Sequence, residues 1–420
     1  MTAGSKASDA LPRLPAWLLG SGIIAIAMGV MNLSTYAFTI LAARLLGPSA
    51  YGALAALMGL LLTVTVASLG LQATGARRVS AAPEDLGSIE SDILSTSYRF
   101  AVTLGFLCLL AAPLVTWTLR LDNWSVAVLL AVTAVPLTVM GGQAGILQGE
   151  RRWLPLAALY LAVGLGRVVF GLAALMVSPH VLGAMVGVTI GAFAPAVVGW
   201  LALRHPSRNH GPTSTRQIQR GRVGWAKGGL LREVGHNSHA LLAFFALSNA
   251  DVIIARVTLD DYQSGLYAGG LILAKAVLFL PQFVVVIAFP SMAASGARRN
   301  MHLVALLPVL GLGALATAGA WLLSGLATTF IGGRAYADLE QSLWAFAAIG
   351  TMLAMSQLMV YSVVARQHQR AVFIVWAGLA ALLTLAPFVG SVASLLTNVV
   401  VVQASVLVVL LLLSLRSRSM

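Results

Sequence analysis

The chain has 420 residues, of which 59% are hydrophobic and 9% are charged, and its mean hydropathy is +0.90. Because about a quarter of the residues in soluble proteins are charged, this composition excludes a soluble globular protein and predicts an integral membrane protein. Apolar runs of about 20 residues recur along nearly the whole sequence and leave room for one long polar segment, which excludes an appended soluble catalytic domain.

Apolar windows of about 20 residues predict twelve membrane-spanning helices in two bundles of six. The first six are predicted at 17–41, 52–76, 99–119, 124–147, 153–177 and 181–203, and the second six at 237–257, 265–292, 301–325, 340–364, 371–389 and 392–414. The domain organisation that follows is a tail at 1–16, a bundle at 17–203, a basic linker at 204–236, a bundle at 237–414 and a tail at 415–420. The predicted fold class is an all-α membrane protein.

The formal net charge of +13 belongs to membrane topology in our interpretation. In a soluble protein it would suggest a nucleic-acid partner, but multi-pass membrane proteins concentrate Lys and Arg in cytoplasmic loops, so we predict no nucleic-acid partner. With the N terminus in the cytoplasm, nearly all basic residues fall inside, and an even number of spans returns the C terminus to the same side. The exceptions are four residues at outer ends, Arg44, Arg120, Arg256 and Arg334, and two within spans, Arg167 and Lys275.

The linker at 204–236 carries seven basic residues against one acid, Glu233. It is interpreted either as a segment that docks on anionic inner-leaflet lipid or as a solvated loop that obeys the same charge bias. The single cysteine, Cys108, lies inside an apolar run, where it can form no internal disulfide and has no partners for a metal site. We predict no metal ion and no other cofactor.

Three correspondences in the same order indicate that the two bundles are repeats. The offsets are 212 between Arg44 and Arg256, 221 between the GARR tetrapeptides at 75–78 and 296–299, and 218 between Arg152 and Arg370. Since each repeat has an even number of helices, the two share one orientation and are related by an axis along the membrane normal. Two such bundles with a seam between them are the architecture of alternating access, so transport is the leading function class.

Three stretches carry a resemblance to a known family. RLLGPSAYGALAALMGL from Arg44, LQGERRW from Leu147 and NADVIIARVTLDDYQSGLYAGG from Asn249 are similar to signatures of the oligosaccharide flippases, a branch of the multidrug/oligosaccharidyl-lipid/polysaccharide (MOP) transporter superfamily. The resemblance implies a MATE-like fold, no enzymatic activity, and translocation of a polyprenyl-diphosphate-linked oligosaccharide across the cytoplasmic membrane for cell-surface polysaccharide biosynthesis. The partners expected are this glycan lipid, anionic membrane lipids and glycan-assembly enzymes.

Two cations within predicted spans are candidate substrate-binding residues. A diphosphate head must cross hydrocarbon, so its carrier needs a wet, cationic cleft, and ionisable side chains inside spans are costly enough to be functional candidates. Lys275 lies about ten residues, or about 15 Å, into its span, and Arg167 lies about 14 residues, or about 21 Å, from the inner end of its span. We predict that both face the cleft and bind the diphosphate; alternatively, each neutralises a buried acid.

Three further residues have two interpretations each. Asp251, the one acid predicted deep inside a span, either couples transport to a proton or cation gradient or is a fixed counter-charge for Lys275 or Arg256. Arg44 and Arg256 occupy matching outer ends, beside the turns at Gly47-Pro48 and Asp260-Asp261. They either receive the diphosphate in the outward-facing state or serve interfacial snorkelling and turn geometry.

Other functions remain open from the sequence. A multidrug/cation antiporter of the same superfamily would favour an acidic cleft, whereas two buried cations against one buried acid favour an anionic substrate. A membrane enzyme that polymerises or ligates lipid-linked glycans needs a structured outer site, but every predicted outer connection is short. The histidines form no metal-spaced cluster, so we predict no catalytic residues and no metal site. A passive scaffold would have no need for buried charges.

Overall fold

The structure, a computed structural model, describes residues 16–82, 85–204, 229–294, 301–365 and 370–416. Within these ranges the chain is almost entirely helical and contains no strand. The α-helices are α1 (Ala16–Val64), α2 (Val66–Ala81), α3 (Leu86–Thr118), α4 (Trp124–Gly149), α5 (Trp153–Val177), α6 (Val181–Arg204), α7 (Gly229–Thr258), α8 (Asp261–Ala294), α9 (Met301–Leu322), α10 (Ser324–Ile331), α11 (Leu343–Ala365), α12 (Arg370–Leu385) and α13 (Val392–Arg416). Two 3-10 segments, Gly333–Ser342 and Ala386–Phe388, adjoin α11 and α12.

Helix α1 consists of two helical legs joined at a break. Its 49 residues would extend about 73 Å as one straight helix, more than twice a bilayer core of about 30 Å. Gly47, with φ 71° and ψ 171°, breaks the helix in a conformation that disfavours side chains, and Pro48 starts the next leg. The break at Gly47 therefore divides α1 into two helical legs. The legs are residues 16–46 and 48–64.

In the described part of the chain, eight helical segments are long and apolar enough to cross a membrane. The number rises to nine if the bent pair Leu306–Leu322 and Ser324–Ile331 is counted as one span. Both numbers count the continuous stretch from Gly22 to Ala81 once. The twelve stretches predicted from sequence fall on helical chain, but twelve crossings and cytoplasmic termini stay predictions. Most of the basic linker, at 205–228, and the second GARR, at 296–299, lie outside the described residues.

Two helices extend into segments that were predicted as connections. Helix α7 begins at Gly229, inside the linker predicted at 204–236, while its apolar membrane-spanning part, Ser238–Thr258, begins close to the predicted start of the seventh span. The connection between α9 and α11, predicted to be a short outer loop, contains α10, which bends by 93° from α9, and then a 3-10 segment. Tyr336 of this segment is fully buried and donates to the Ala43 carbonyl (3.3 Å), so the connection packs onto the first leg of α1.

One face of α3 is apolar and exposed in the C-terminal half of the helix. Val102, Phe106, Leu110 and Leu114 follow at every fourth position and are 58–64% exposed. Such a continuous apolar stripe would favour association or aggregation in water, but it is the expected surface toward lipid tails. The exposed stripe therefore agrees with a multi-pass membrane protein.

Glycines let α2 and α4 approach within backbone contact in the N-terminal half. Gly141, Gly145 and Gly149 lie at every fourth position on the face of α4 that meets α2. A Cβ added to Gly145 would lie 2.6 Å from the carbonyl oxygen of Gln72 and 2.9 Å from its Cα. Small residues at this spacing are a common solution for close helix packing in membranes.

Replacing Gly145 with alanine is expected to destabilise the protein by about 1–3 kcal/mol, because the Gln72 backbone must move to admit a methyl group. The check is the thermal unfolding midpoint in detergent. Gly319→Ala on α9 is the matched control, since no atom lies within 4 Å of a Cβ built there. Equal midpoints for the two variants would contradict this packing.

The seam between the halves is formed by the second leg of α1 and by α2 on one side and by α7 and α8 on the other. A Cβ at Gly52 would lie 2.9 Å from the Gly265 nitrogen, and one at Gly59 would lie 3.0 Å from Val252 and 3.3 Å from the Asn249 Cβ. The buried apolar cluster is continuous across this seam. Residues on the facing stripes of α7 and α8 therefore meet the N-terminal half directly.

Candidate functional site

Arg167 lies on the face of α5 that is turned toward the interior of the N-terminal half. This face carries Tyr160, Gly164, Arg167 and Gly171. At about 100° per residue, these four residues lie within about 60° of one another around the helix. A Cβ at Gly164 would lie 2.7 Å from the Met31 Cα on the first leg of α1, whereas Leu165, on the far side of α5, is exposed. Arg167 therefore lies on the α5 face that packs toward the first leg of α1, and its predicted role in facing a cleft and binding the diphosphate stays a prediction.

The guanidinium of Arg167 is half-buried and makes no hydrogen bond or ion pair with any residue that the structure describes. It lies ten residues, or about 15 Å, from the end of α5 at Val177. An unpaired cation at this depth is expensive in hydrocarbon and is expected to face water or an anionic ligand. The alternative in which Arg167 neutralises a buried acid finds no such acid among the described residues.

Lys275 of α8 reaches the seam through Asn249. Its Nζ donates a hydrogen bond to Asn249 Oδ1 (2.9 Å), and Asn249 packs against Gly59 of the second leg of α1. Asn249 shares one stripe of α7 with Phe245 and Val252, and the Phe245 carbonyl accepts from Thr63 across the seam (3.5 Å). The ammonium group of Lys275 is therefore held beside the junction of the two halves.

Asp251 faces the other way, into the C-terminal half. It is two residues from Asn249 and so lies about 200° around α7. Its carboxylate accepts hydrogen bonds from Tyr267 Oη (3.1 Å) and from the Val252 amide (2.8 Å), and the side chain is buried. Lys275 and Asp251 interact electrostatically, but the described contacts include no direct ion pair between them. The role of Asp251 as counter-charge for Lys275 or as coupling site stays a prediction.

Arg256 and Arg120 each bind backbone carbonyls of the opposite half, and Asp261 pairs with both. We call these three residues the clasp. Arg256 Nε donates to the Leu119 carbonyl (2.9 Å) and Nη2 to the Arg120 carbonyl (3.1 Å), where α3 ends. In return, Arg120 Nη2 donates to the carbonyls of Arg256 and Leu259 (2.6 Å for Leu259), where α7 ends. Asp261 Oδ1 lies 2.8 Å from Arg256 Nη1 and 3.3 Å from Arg120 Nη2.

The sequence interpretation in which Asp251 is the counter-charge of Arg256 is wrong. The ion pair of Arg256 is made with Asp261, which starts α8, and the Arg256 side chain is only 4% exposed. The Arg256 side chain also does not snorkel to the interface, because it is buried against the end of α3.

Arg44 makes the equivalent contact from the N-terminal half. Its Nη2 donates to the carbonyls of Thr329 (2.8 Å) and Phe330 (3.1 Å), near the end of α10. The last carbonyls of a helix lack intrahelical partners and carry the negative end of its dipole, so a guanidinium is a favourable cap. Arg44 and Arg256, matched by the sequence repeat, thus both cap a helix of the opposite half. Their predicted role in substrate binding stays a prediction that requires these contacts to open.

Removing the charge of Asp261 is expected to loosen the clasp. Ser264 is 1% exposed, and its Oγ lies 3.0 Å from a Cβ built at Gly52 across the seam. The background protein carries Cys108→Ala and Ser264→Cys, so that residue 264 has the thiol to be labelled. In this background, Asp261→Asn is expected to raise the rate of labelling by a membrane-impermeant thiol reagent about fivefold, because a partly exposed ion pair contributes up to about 1 kcal/mol. The exposed acid Asp338 supplies the control, as Asp338→Asn. Equal labelling with and without the Asp261 charge would rule out the clasp as a closure.

A polar cluster in the N-terminal half was missed by the sequence analysis. Gln72 Nε2 donates to Gln148 Oε1 (2.9 Å) and to Tyr160 Oη (2.7 Å), joining α2, α4 and α5. Tyr160 shares the α5 face of Arg167, so polar groups and a cation line the same side of that helix. The available signal was an amide, Gln72, inside the apolar stretch 52–76.

Residues 18–295 match the sequence family described as Polysaccharide biosynthesis protein. This range is well over half of the chain. The chain belongs to this family. No curated protein is similar to the chain at a significant level.

Solved transporter structures match this polysaccharide biosynthesis family protein over nearly its whole length. An inward-facing multidrug resistance MATE family transporter is 14% identical with a TM-score of 0.71, over 96% of this chain and 98% of that chain. The eukaryotic MATE transporter AtDTX14 is 14% identical with a TM-score of 0.64, over 94% and 95% of the two chains. A MOP superfamily transporter from Pyrococcus furiosus is 13% identical with a TM-score of 0.56, over 96% and 95%.

These comparisons confirm the predicted membership in the MOP superfamily. At such low identities the structural likeness establishes the fold. Together with the family match and the apolar helices, it identifies the polysaccharide biosynthesis family protein as a multi-pass integral membrane protein, and the solved structures that it resembles are transporters.

Proposed function

We propose that this transporter is a flippase for a polyprenyl-diphosphate-linked oligosaccharide and works by alternating access. The observation that carries the proposal is Arg167, a half-buried guanidinium in mid-helix that faces the protein interior and has no partner among the described residues. A transporter for neutral or cationic cargo has no use for such a group. A dianionic diphosphate is the ligand that an unpaired guanidinium is best suited to bind.

Lys275 supports the same assignment from the other half. Its ammonium group keeps donors to spare after its bond to Asn249. With Arg167 on the N-terminal side and Lys275 at the seam, each half contributes one cation. A diphosphate passing between the halves would exchange water for these charges, while its polyprenyl tail stays in lipid.

A multidrug or cation antiporter is the rival function within the superfamily. It would use a carboxylate that faces the cleft, but Asp251 faces the C-terminal half and already accepts from Tyr267. The Pyrococcus furiosus transporter is described as having a reversed polarity of its binding pocket that suggests a different function. By analogy, the basic residues here support an anionic substrate.

The proposed location is the cytoplasmic membrane, with both termini and the basic linker on the cytoplasmic side. There the linker would meet anionic lipid headgroups, and the transporter would receive its substrate from the enzymes that assemble the glycan.

The test is reconstitution in vesicles. A fluorescent polyprenyl-diphosphate oligosaccharide placed in one leaflet is expected to reach the other leaflet at a rate that depends on the protein, and a lipophilic cation is expected neither to be transported nor to compete. Transport of the cation without movement of the glycan lipid would replace the flippase with the antiporter.

A further inference from the structure

A cavity of about 710 Å³ opens beside the clasp at the junction of α3 and α4. Its lining combines apolar surface, two tryptophans and one arginine. The lining residues are Pro113, Thr116, Trp117, Arg120, Leu121 and Trp124. Trp117 and Trp124 are 79% and 67% exposed, as expected for amphipathic rings at the boundary between hydrocarbon and headgroups.

Arg120 brings unused hydrogen-bond donors to this cavity. All of its contacts in the clasp are made by Nη2, which meets two carbonyls and Asp261. Its Nη1 and Nε make no hydrogen bond with a residue in the described ranges, and the side chain is 42% exposed. A guanidinium has five N–H donors, so Arg120 can hold the clasp and bind a second oxyanion at the same time.

The cavity is continuous with the lipid-facing surface of α3. Pro113 and Trp117 lie within about 100° around α3 of the exposed stripe of Phe106, Leu110 and Leu114. Arg120 follows two residues after the end of α3 and lines the same cavity as Pro113 and Trp117. A molecule with its anionic group at Arg120 would have its apolar part along this stripe. That arrangement fits an amphiphile oriented like a membrane lipid.

We propose that the cavity is a binding site for a glycerophospholipid of the surrounding leaflet, with the lipid phosphate on Arg120 and the headgroup flanked by Trp117 and Trp124. The clasp carries one net positive charge, because Asp261 alone pairs with both arginines, and the nearby exposed Asp122 offsets this charge through its electrostatic action on Arg256. The phosphate is therefore held by the open donors of one guanidinium and not by a general positive field. This site is separate from the proposed diphosphate path and does not depend on it.

The proposal is tested by native mass spectrometry of the full-length protein equilibrated with phosphatidylglycerol or phosphatidylethanolamine. Wild type is expected to retain one tightly bound phospholipid that Arg120→Gln and the double variant Trp117→Ala/Trp124→Ala lose, with affinity at least about tenfold weaker. The tryptophan pair leaves the clasp hydrogen bonds in place, so it tests the cavity even if Arg120→Gln fails to fold.

Two matched controls separate this cavity from its surroundings. Arg44→Gln removes another helix-capping arginine, and Trp321→Ala removes a tryptophan that is 68% exposed on α9. Both are expected to keep the lipid, and so is Asp261→Asn, which leaves the free donors of Arg120 unchanged. Retention by Arg120→Gln, equal loss in the controls, or displacement of the lipid by millimolar inorganic phosphate would each overturn a lipid site.

Discussion

Arg167→Gln is expected to reduce translocation of the glycan lipid at least about tenfold, equivalent to about 1.4 kcal/mol or more of lost stabilisation, and to leave the folded protein intact. The reason is that Arg167 has no partner in the described part of the chain, so its removal leaves no buried group unsatisfied there. The transport rate in vesicles checks the loss of translocation, and the thermal unfolding midpoint of the same preparations checks that the variant stays folded.

Two companion variants make the result specific. Arg167→Lys keeps the charge but loses the planar fork, and is expected to retain part of the transport rate. Arg152→Gln removes an arginine that pairs with Glu150 (3.2 Å) and caps α6 at Ala202 (2.7 Å), so it is expected to lower the unfolding midpoint first. If Arg167→Gln instead lost stability and kept its transport rate, Arg167 would be a structural residue.

Lys275→Gln is the second change with a large expected effect, again at least about tenfold in transport. Glutamine can still donate to Asn249 Oδ1, so the local hydrogen bond survives while the charge is lost. Some stability is expected to be lost as well, because the buried Asp251 then has no cation nearby to offset its charge.

The double variant Lys275→Gln/Asp251→Asn separates the two roles of Lys275. Removing both charges is expected to recover the stability that the single variant loses, since no uncompensated charge remains. Transport is expected to stay low, because the seam still lacks its cation. Recovery of transport along with stability would show that Lys275 serves Asp251 and not the substrate.

The sequence was sufficient for the helical class, the superfamily and the general position of most helices. The reason is physical: a chain that crosses hydrocarbon must satisfy its backbone internally, so long apolar stretches leave helices as the main solution. The pairing of Arg44 with Arg256 by repeat offset was also informative, since both residues cap a helix of the opposite half.

Direction around each helix was harder to predict than depth. The sequence offered Asp251 as a counter-charge for Lys275, and the two residues interact electrostatically, yet Asp251 faces the C-terminal half while Lys275 meets the seam through Asn249. In apolar helices built largely from small residues, no amphipathic pattern marks the inward face. Only the close approach of a neighbouring helix settles it, as at Gly59, which meets the side chains of Val252 and Asn249.

The clasp was missed for a different reason. From the sequence, Arg120 was only a basic residue at an outer end. Its acceptors are backbone carbonyls at the C-terminal end of α7, and a backbone acceptor cannot be recognised from residue type. Long-range capping of this kind depends on which helix ends meet in space. The contact of Arg44 was missed for the same reason. Its acceptors are carbonyls of α10, a segment that the sequence analysis placed in a short loop.

The most direct test of the central claim is equilibrium binding of a short-chain polyprenyl-diphosphate oligosaccharide to the purified transporter and to the double variant Arg167→Gln/Lys275→Gln. The comparison ligand is the same oligosaccharide on an uncharged polyprenol. We expect the diphosphate ligand to bind wild type at least about tenfold more tightly than the variant, and the uncharged ligand to bind both equally weakly. Equal affinity of wild type and variant for the diphosphate ligand would contradict a cationic path between the halves.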